Sequence, residues 1–194
     1  MKAILLSVQP EWVAKILDGE KTIELRKSVP QGFVGWVYIY CTKAKPYLGY
    51  EYVSGEISGY CWSTQDSIDD FDDLQFIANG KVVARFWLDE THKMTFDYYW
   101  EEFGTPYEQD TFLEDACLTM DEIIDYGNAE LMNHEIKSLY AWHIKCLEIF
   151  DKPMELGEFR VERVVYYGDN DESHISFLSL TKAPQSWQYV WVKE

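Results

Sequence analysis

The 194-residue sequence predicts an α+β domain: a mostly antiparallel or mixed small β-barrel with short flanking helices and an acidic helical or irregular insertion. Three observations lead there. Runs rich in β-branched and aromatic residues recur along the whole chain, whereas helical periodicity is confined to short stretches. Hydrophobic residues make up 47% and aromatics 16%, ample for a single large core. Charge is partitioned. Residues 1–45 carry seven Lys/Arg against four Asp/Glu, residues 46–135 three against twenty-one, and residues 136–194 seven against nine. Nearly all of the net charge of −17 therefore lies in the middle, which reads as an insertion at 46–135 in one domain spanning 1–194.

"AILLSV" (3–8) is an apolar strand that stops at Pro10, whose missing N–H suits a first helical turn. "PEWVAKILDG" then places Trp12, Val13, Ile16 and Leu17 at helical spacing, with Gly19 just past the end. "KTIELRK" alternates polar and apolar residues, the pattern of a half-buried strand with Ile23 and Leu25 on one face and Thr22, Glu24 and Arg26 on the other. "GFVGWVYIYCT" (32–42) and "GKVVARFWLDE" (80–90) are strands, and "STQDSIDDFDDLQF" is a loop or short surface helix. Residues 91–116 show no clear period. Thr119 and Glu122 form a capping box that starts a helix at "LTMDEIIDYG", and "AELMNHEIKS" continues as a second. "LYAWHIKCLEIFD" (139–151) reads as one strand with Tyr140, Trp142 and Ile144 on a common face. "EFRVERVVYYGD", "SHISFLSL" and "KAPQSWQYVWV" complete the strands.

Several function classes fall away. The four cysteines form no CxxC pair and the four histidines are scattered without metal-ligand spacing, so neither a metal nor a cofactor is expected. No apolar run reaches the ~20 residues that span a bilayer, and the N-terminal apolar run is too short for a secretory leader. The expectation is a cytoplasmic protein with no membrane association. No nucleophile elbow, Walker loop or dinucleotide fingerprint is present.

The charged segment "LDGEKTIELRK" (17–27) is the informative one. Glu24 and Arg26 are two apart on a strand and share a face, so the carboxylate can hold the guanidinium in a two-pronged hydrogen bond. Arg26 then presents its remaining donors to a phosphate or base edge. Lys21 has the opposite parity and joins them only if it precedes the regular strand, which Gly19 makes feasible. The plain alternative is a solvated strand face with a salt bridge worth under ~1 kcal/mol. Thr42 and Lys43, at a strand end, are candidates for a ligand phosphate. Trp142, beside Tyr140, is a candidate for stacking on a base, against the competing reading of barrel core. Gln185, with Ser186 after Pro184, is a candidate for a nucleobase hydrogen bond, though turn chemistry also explains it.

"GEKTIELR" resembles the Gly-x-Lys-x-x-Glu-x-Arg motif of the ASCH domain family, and "SVQPEWVAKILDG" resembles the strand–helix opening that precedes it there. "VYIYCTK", "YAWHIKCLEIFDKPMEL" and "APQSWQYV" fit the same family, so the resemblance covers roughly 1–45 and 136–190. It implies a PUA-like barrel and a cleft, lined by the motif, that binds single-stranded RNA or a nucleotide or nucleoside. Some small bacterial members are hydrolases, including an acetylcytidine amidohydrolase that uses a lysine, a threonine and a glutamate. Its lysine maps onto Lys21 and its threonine onto Glu24. The nearest hydroxyl in this chain is then Thr22, and its glutamate falls near Glu114 or Asp115.

Three functions follow. The first is an RNA- or nucleotide-binding module using Lys21, Glu24 and Arg26 with Thr42, Lys43, Trp142 and Gln185. The second is a hydrolase of a modified nucleoside or an RNA phosphodiester, with Lys21, Glu24 and Thr22 as its catalytic groups. The third is an interaction module whose acidic middle takes a basic protein partner.

Overall fold

The computed structural model describes residues 1–55, 58–97, 102–104, 109–127, 139–167 and 172–193. Among these the chain is α+β and divides into two compact units, one from residues 1–14, 36–86 and 148–194, the other from 15–35 and 87–147. The acidic stretch 46–135 is shared between both units.

The first unit is organised by a seven-stranded sheet. Its strands are β1 (Lys2–Val8), β3 (Gly35–Cys41), β7 (Val82–Leu88), β11 (Lys145–Met154), β12 (Arg160–Tyr167), β13 (Glu172–Ser179) and β14 (Trp187–Trp191), in the order β11-β7-β3-β1-β14-β12-β13. β1 lies between a parallel neighbour, β3 (Ile4↔Val37), and an antiparallel one, β14 (Lys2↔Trp191). From Ala3 to Val8 every side chain is buried, as a continuous apolar run on a central strand requires. Each such aliphatic side chain removed from water contributes about 1.5–3 kcal/mol. Ala3, Leu5, Tyr38, Tyr40, Val82, Phe159 and Val190 form the core on one side. The order ends at β11 and β13 without closing, so the described strands make an open sheet and not the closed barrel that the sequence predicts.

The Tyr- and Gly-containing stretch after residue 46 folds into a second sheet, β5-β4-β6, from β4 (Tyr47–Val53), β5 (Gly59–Gln65) and β6 (Leu74–Ile77). A Cβ on Gly49 would stand 2.5 Å from the Phe71 ring, so glycine is required where that ring crosses the strand. Glu51 is buried there and accepts from the Ser63 hydroxyl and the Asp72 N–H. Part of the acidity is therefore built into a folded sheet. Ser67 caps the single turn 68–70 that stands where the sequence predicts a loop or short helix.

The second unit contains a four-stranded sheet in the order β2-β10-β8-β9, from β2 (Ile23–Arg26), β10 (Leu139–His143), β8 (Thr91–Asp97) and β9 (Glu102–Gly104). Two helices belong to this unit, α2 (Gln109–Ala116) and α3 (Met120–Gly127); α1 (Pro10–Leu17) ends where it begins. Ile23, Leu25, Met94, Leu139 and Ala141 from the sheet pack with Phe112, Ala116 and Ile123 from the helices. The stretch 139–151 is two strands and not one. The chain breaks at Ile144, whose N–H reaches Thr22 O (2.9 Å), and the two strands enter different sheets. The helix expected over 129–138 lies outside the described residues. The longest described helix has eight residues, and none is long and apolar enough to cross a membrane.

Candidate functional site

The motif begins at a helix end. Gly19 (φ +76°) follows α1, where its N–H bonds Ile16 O (3.1 Å) and the Glu20 N–H bonds Lys15 O (2.9 Å). This is the paired closure of a left-handed helix terminus, and it explains the motif glycine without any ligand.

The same closure recurs at the end of α2, with a non-glycine residue. Cys117 (φ +52°) and Leu118 donate their N–H groups to Glu114 O (2.9 Å) and Leu113 O (3.1 Å). Two of the last four carbonyls are thereby satisfied. The motif supplies the other two. The Thr22 N–H bonds Asp115 O (2.9 Å), and Lys21 Nζ bonds Ala116 O at 2.5 Å. A cation at this end also complements the helix dipole.

Lys21 precedes the first strand residue, Ile23, and so joins the other two charges as the parity argument requires. Its ammonium lies 3.5 Å from Glu24 Oε2, while Arg26 Nη2 lies 2.8 Å from Glu24 Oε1. Glu24 thus gives one oxygen to each cation, where the sequence predicts a two-pronged clasp of Arg26 alone. All three side chains are at most a tenth exposed, so the exposed salt bridge and the half-buried strand are both overturned. Burial pushes the Lys21 amine below the ordinary lysine value, with Glu24 and the Cys117 thiol pulling the other way.

Tyr126, on α3, places its hydroxyl in a hydrogen bond with Arg26. Burial pushes its phenol up, against the pull of Arg26. Its ring stays more than a third exposed, and Lys27 Nζ sits 4.9 Å from the ring centroid. Sequence reasoning missed Tyr126, Lys27 and the Ala116 carbonyl. Their approach to residues 21–26 depends on a long-range packing that no local pattern records.

The remaining candidates divide. Trp142 pairs with Glu24 across β2 and β10 but is fully buried, so it serves as core beneath the motif, and neither ring face is open to a base. Thr22 is held through its backbone at both polar groups, to Asp115 O and from Ile144 N. Thr42, Lys43 and Gln185 belong to the first unit. Thr42 follows β3, and its N–H bonds Val8 O (2.9 Å).

Against solved structures, the chain aligns with a serine-to-alanine variant of the ASCH protein from Zymomonas mobilis. The alignment covers 99% of this chain and 89% of that one, at 14% identity and a TM-score of 0.53. The fold is that of an ASCH domain. The unsubstituted ASCH protein from Zymomonas mobilis (14% identity, 99% and 88% covered, TM-score 0.48) and a tyrosine-to-phenylalanine variant (15%, 80% and 77%, TM-score 0.47) also align. No protein-family model and no curated protein matches the sequence. At this identity the ASCH likeness is one of fold, and the motif's chemistry rests on the geometry above.

Proposed function

We propose that this ASCH-fold protein binds a nucleotide-like anion, or a short single-stranded RNA, at the edge strand β2. The observation that supports this reading is the sharing of Glu24 between Lys21 and Arg26, which leaves the buried cluster with one net positive charge. Arg26, Lys27 and the partly exposed Tyr126 ring make the contact, and Lys21 supports them from beneath. A guanidinium with a neighbouring ammonium suits a phosphate, and a ring face suits a base. The net charge of −17 opposes a long polyanion beyond a Debye length of about 8 Å, which favours short ligands. Calorimetric titration with a nucleoside and its 5′-monophosphate tests this directly. Binding of the monophosphate but not the nucleoside is expected; equal or absent binding of both would overturn it.

The lowered proton affinity of Lys21 favours a second reading, hydrolysis of an acylated nucleoside. The neutral Lys21 amine would take a proton from water as the hydroxide attacks the acyl carbon, and the resulting ammonium, oriented by Glu24, would return that proton to the departing amine nitrogen as its bond to the acyl carbon breaks. Its test is release of cytidine from acetylcytidine, with loss of turnover in Glu24→Gln.

A further inference from the structure

At the end of the four-stranded sheet where His143 pairs with Ile23, a second cluster of polar side chains is gathered. Asp89 and Glu90 precede β8, and His143 ends β10. The His143 N–H reaches Glu90 O (3.4 Å), which sets these residues opposite one another across the ladder. His143 Nδ1 lies 3.6 Å from Asp89 Oδ1 and 3.5 Å from Glu90 Oε1. One donor atom from each of the three residues falls within 4.8 Å of the others.

Two of these atoms have no hydrogen-bond partner among the described residues. Asp89 Oδ1 and His143 Nδ1 are both buried and make no hydrogen bond, although they face each other. Buried polar atoms without a hydrogen bond are costly and call for an explanation. Separations of 3.5 and 3.6 Å are long for a direct N–H···O bond. They are close to the roughly 3.3 Å edge of a tetrahedron whose ligand bonds are about 2.0 Å.

We infer that Asp89, Glu90 and His143 form a binding site for a divalent transition metal, with zinc the best fit. One imidazole and two carboxylates suit zinc better than magnesium or calcium, which take oxygen ligands alone. Lys145 donates to Asp89 Oδ2, which turns Oδ1 toward His143 and makes Asp89 a one-oxygen ligand. His92 Nε2 stands 3.5 Å from the second oxygen of Glu90 and steadies it from outside. Three protein ligands leave a fourth position open to water or to a small anion. In the sequence the ligands stand as a pair at 89–90 and a lone histidine more than fifty residues on, a spacing no metal motif describes.

The test is zinc titration of chelator-stripped protein in competition with a chromogenic chelator. Wild type, His143→Ala, Asp89→Asn and Glu90→Gln are compared with His174→Ala, whose ring bonds Ser176 elsewhere. One equivalent of zinc should bind the wild type and His174→Ala alike. The three ligand variants should bind at least about tenfold more weakly and lose the zinc-dependent rise in unfolding temperature. Their unfolding in chelator, compared with wild type, shows that each still folds. No saturable zinc binding by the wild type, or equal binding by the folded ligand variants, would overturn the assignment.

Discussion

Replacing Lys21 with Met removes a buried ammonium while keeping most of its apolar stem. The loss has two parts. Ala116 O, the last carbonyl of α2, forfeits a charge-assisted hydrogen bond at 2.5 Å, and Glu24 forfeits the cation 3.5 Å from its Oε2. Hydrogen bonds to charged groups contribute about 1.5–3 kcal/mol each. Against this, the variant no longer desolvates an ammonium that is 3% exposed, a cost of several kcal/mol before pairing. Glu24 keeps Arg26 at 2.8 Å, so no carboxylate is stranded. Since burial outweighs the ion pairing in the proton affinity of Lys21, the charge itself lends no net stability, and the loss is that of the unsatisfied Ala116 carbonyl, about 1–3 kcal/mol, read as a lower urea midpoint at an unchanged slope. The pH dependence carries a sharper signature. Burial lowers the folded-state proton affinity of Lys21, so in the range just below 10.5 the unfolded chain holds a proton that the folded chain has released. Stability of the wild type then rises with pH as that value is approached, and Lys21→Met lacks the rise. Unchanged or increased stability in the variant, together with the same alkaline profile, would refute the assignment of Lys21 as the cap of α2.

Cys117→Gly should stabilise the protein by about 0.5–1 kcal/mol, because φ +52° disfavours a side chain at the α2 terminus; chemical denaturation reads it. Thr119→Ala should cost about 1 kcal/mol by removing the hydroxyl that accepts from the Glu122 N–H (3.3 Å) and donates to its carboxylate (2.9 Å). The Thr119 N–H and hydroxyl hold the Glu122 carboxyl below 4.5, and the stability this lends is present above that value and lost as pH falls through the folded one. The acid limb of the stability profile should therefore be shallower in Thr119→Ala, by circular dichroism melts across pH.

Local chemistry made much of this legible. Pro10 and Gly19 bracket α1, Thr119 and Glu122 start α3, and the apolar run at 3–8 is the buried centre of the large sheet. Each of these signals acts within a few residues. What stayed hidden depends on partners far along the chain. Alternation at 23–26 reads as one solvated face, yet α2 and α3 cover one side and Trp142 lies under the other, so all four residues are buried. The break at Ile144 follows from its bond to Thr22 O, which no periodicity in "LYAWHIKCLEIFD" encodes. The charge triad was legible as a set, since parity and Gly19 predict the meeting of Lys21 with Glu24 and Arg26. Its second task, closing the end of α2, required knowing where residue 116 would lie.

Lys21→Met is a poor probe of ligand contact, because its effect on the fold is expected to be large. The exposed rim separates the two. Fluorescence anisotropy of a labelled short single-stranded RNA, at low and physiological salt, should be measured with wild type and with the double variant Lys27→Ala, Tyr126→Leu. Salt-sensitive binding by the wild type, weakened at least about tenfold in a double variant of unchanged stability, is the predicted result. Undiminished binding by the double variant, or no binding by the wild type, would contradict a nucleotide site at this edge.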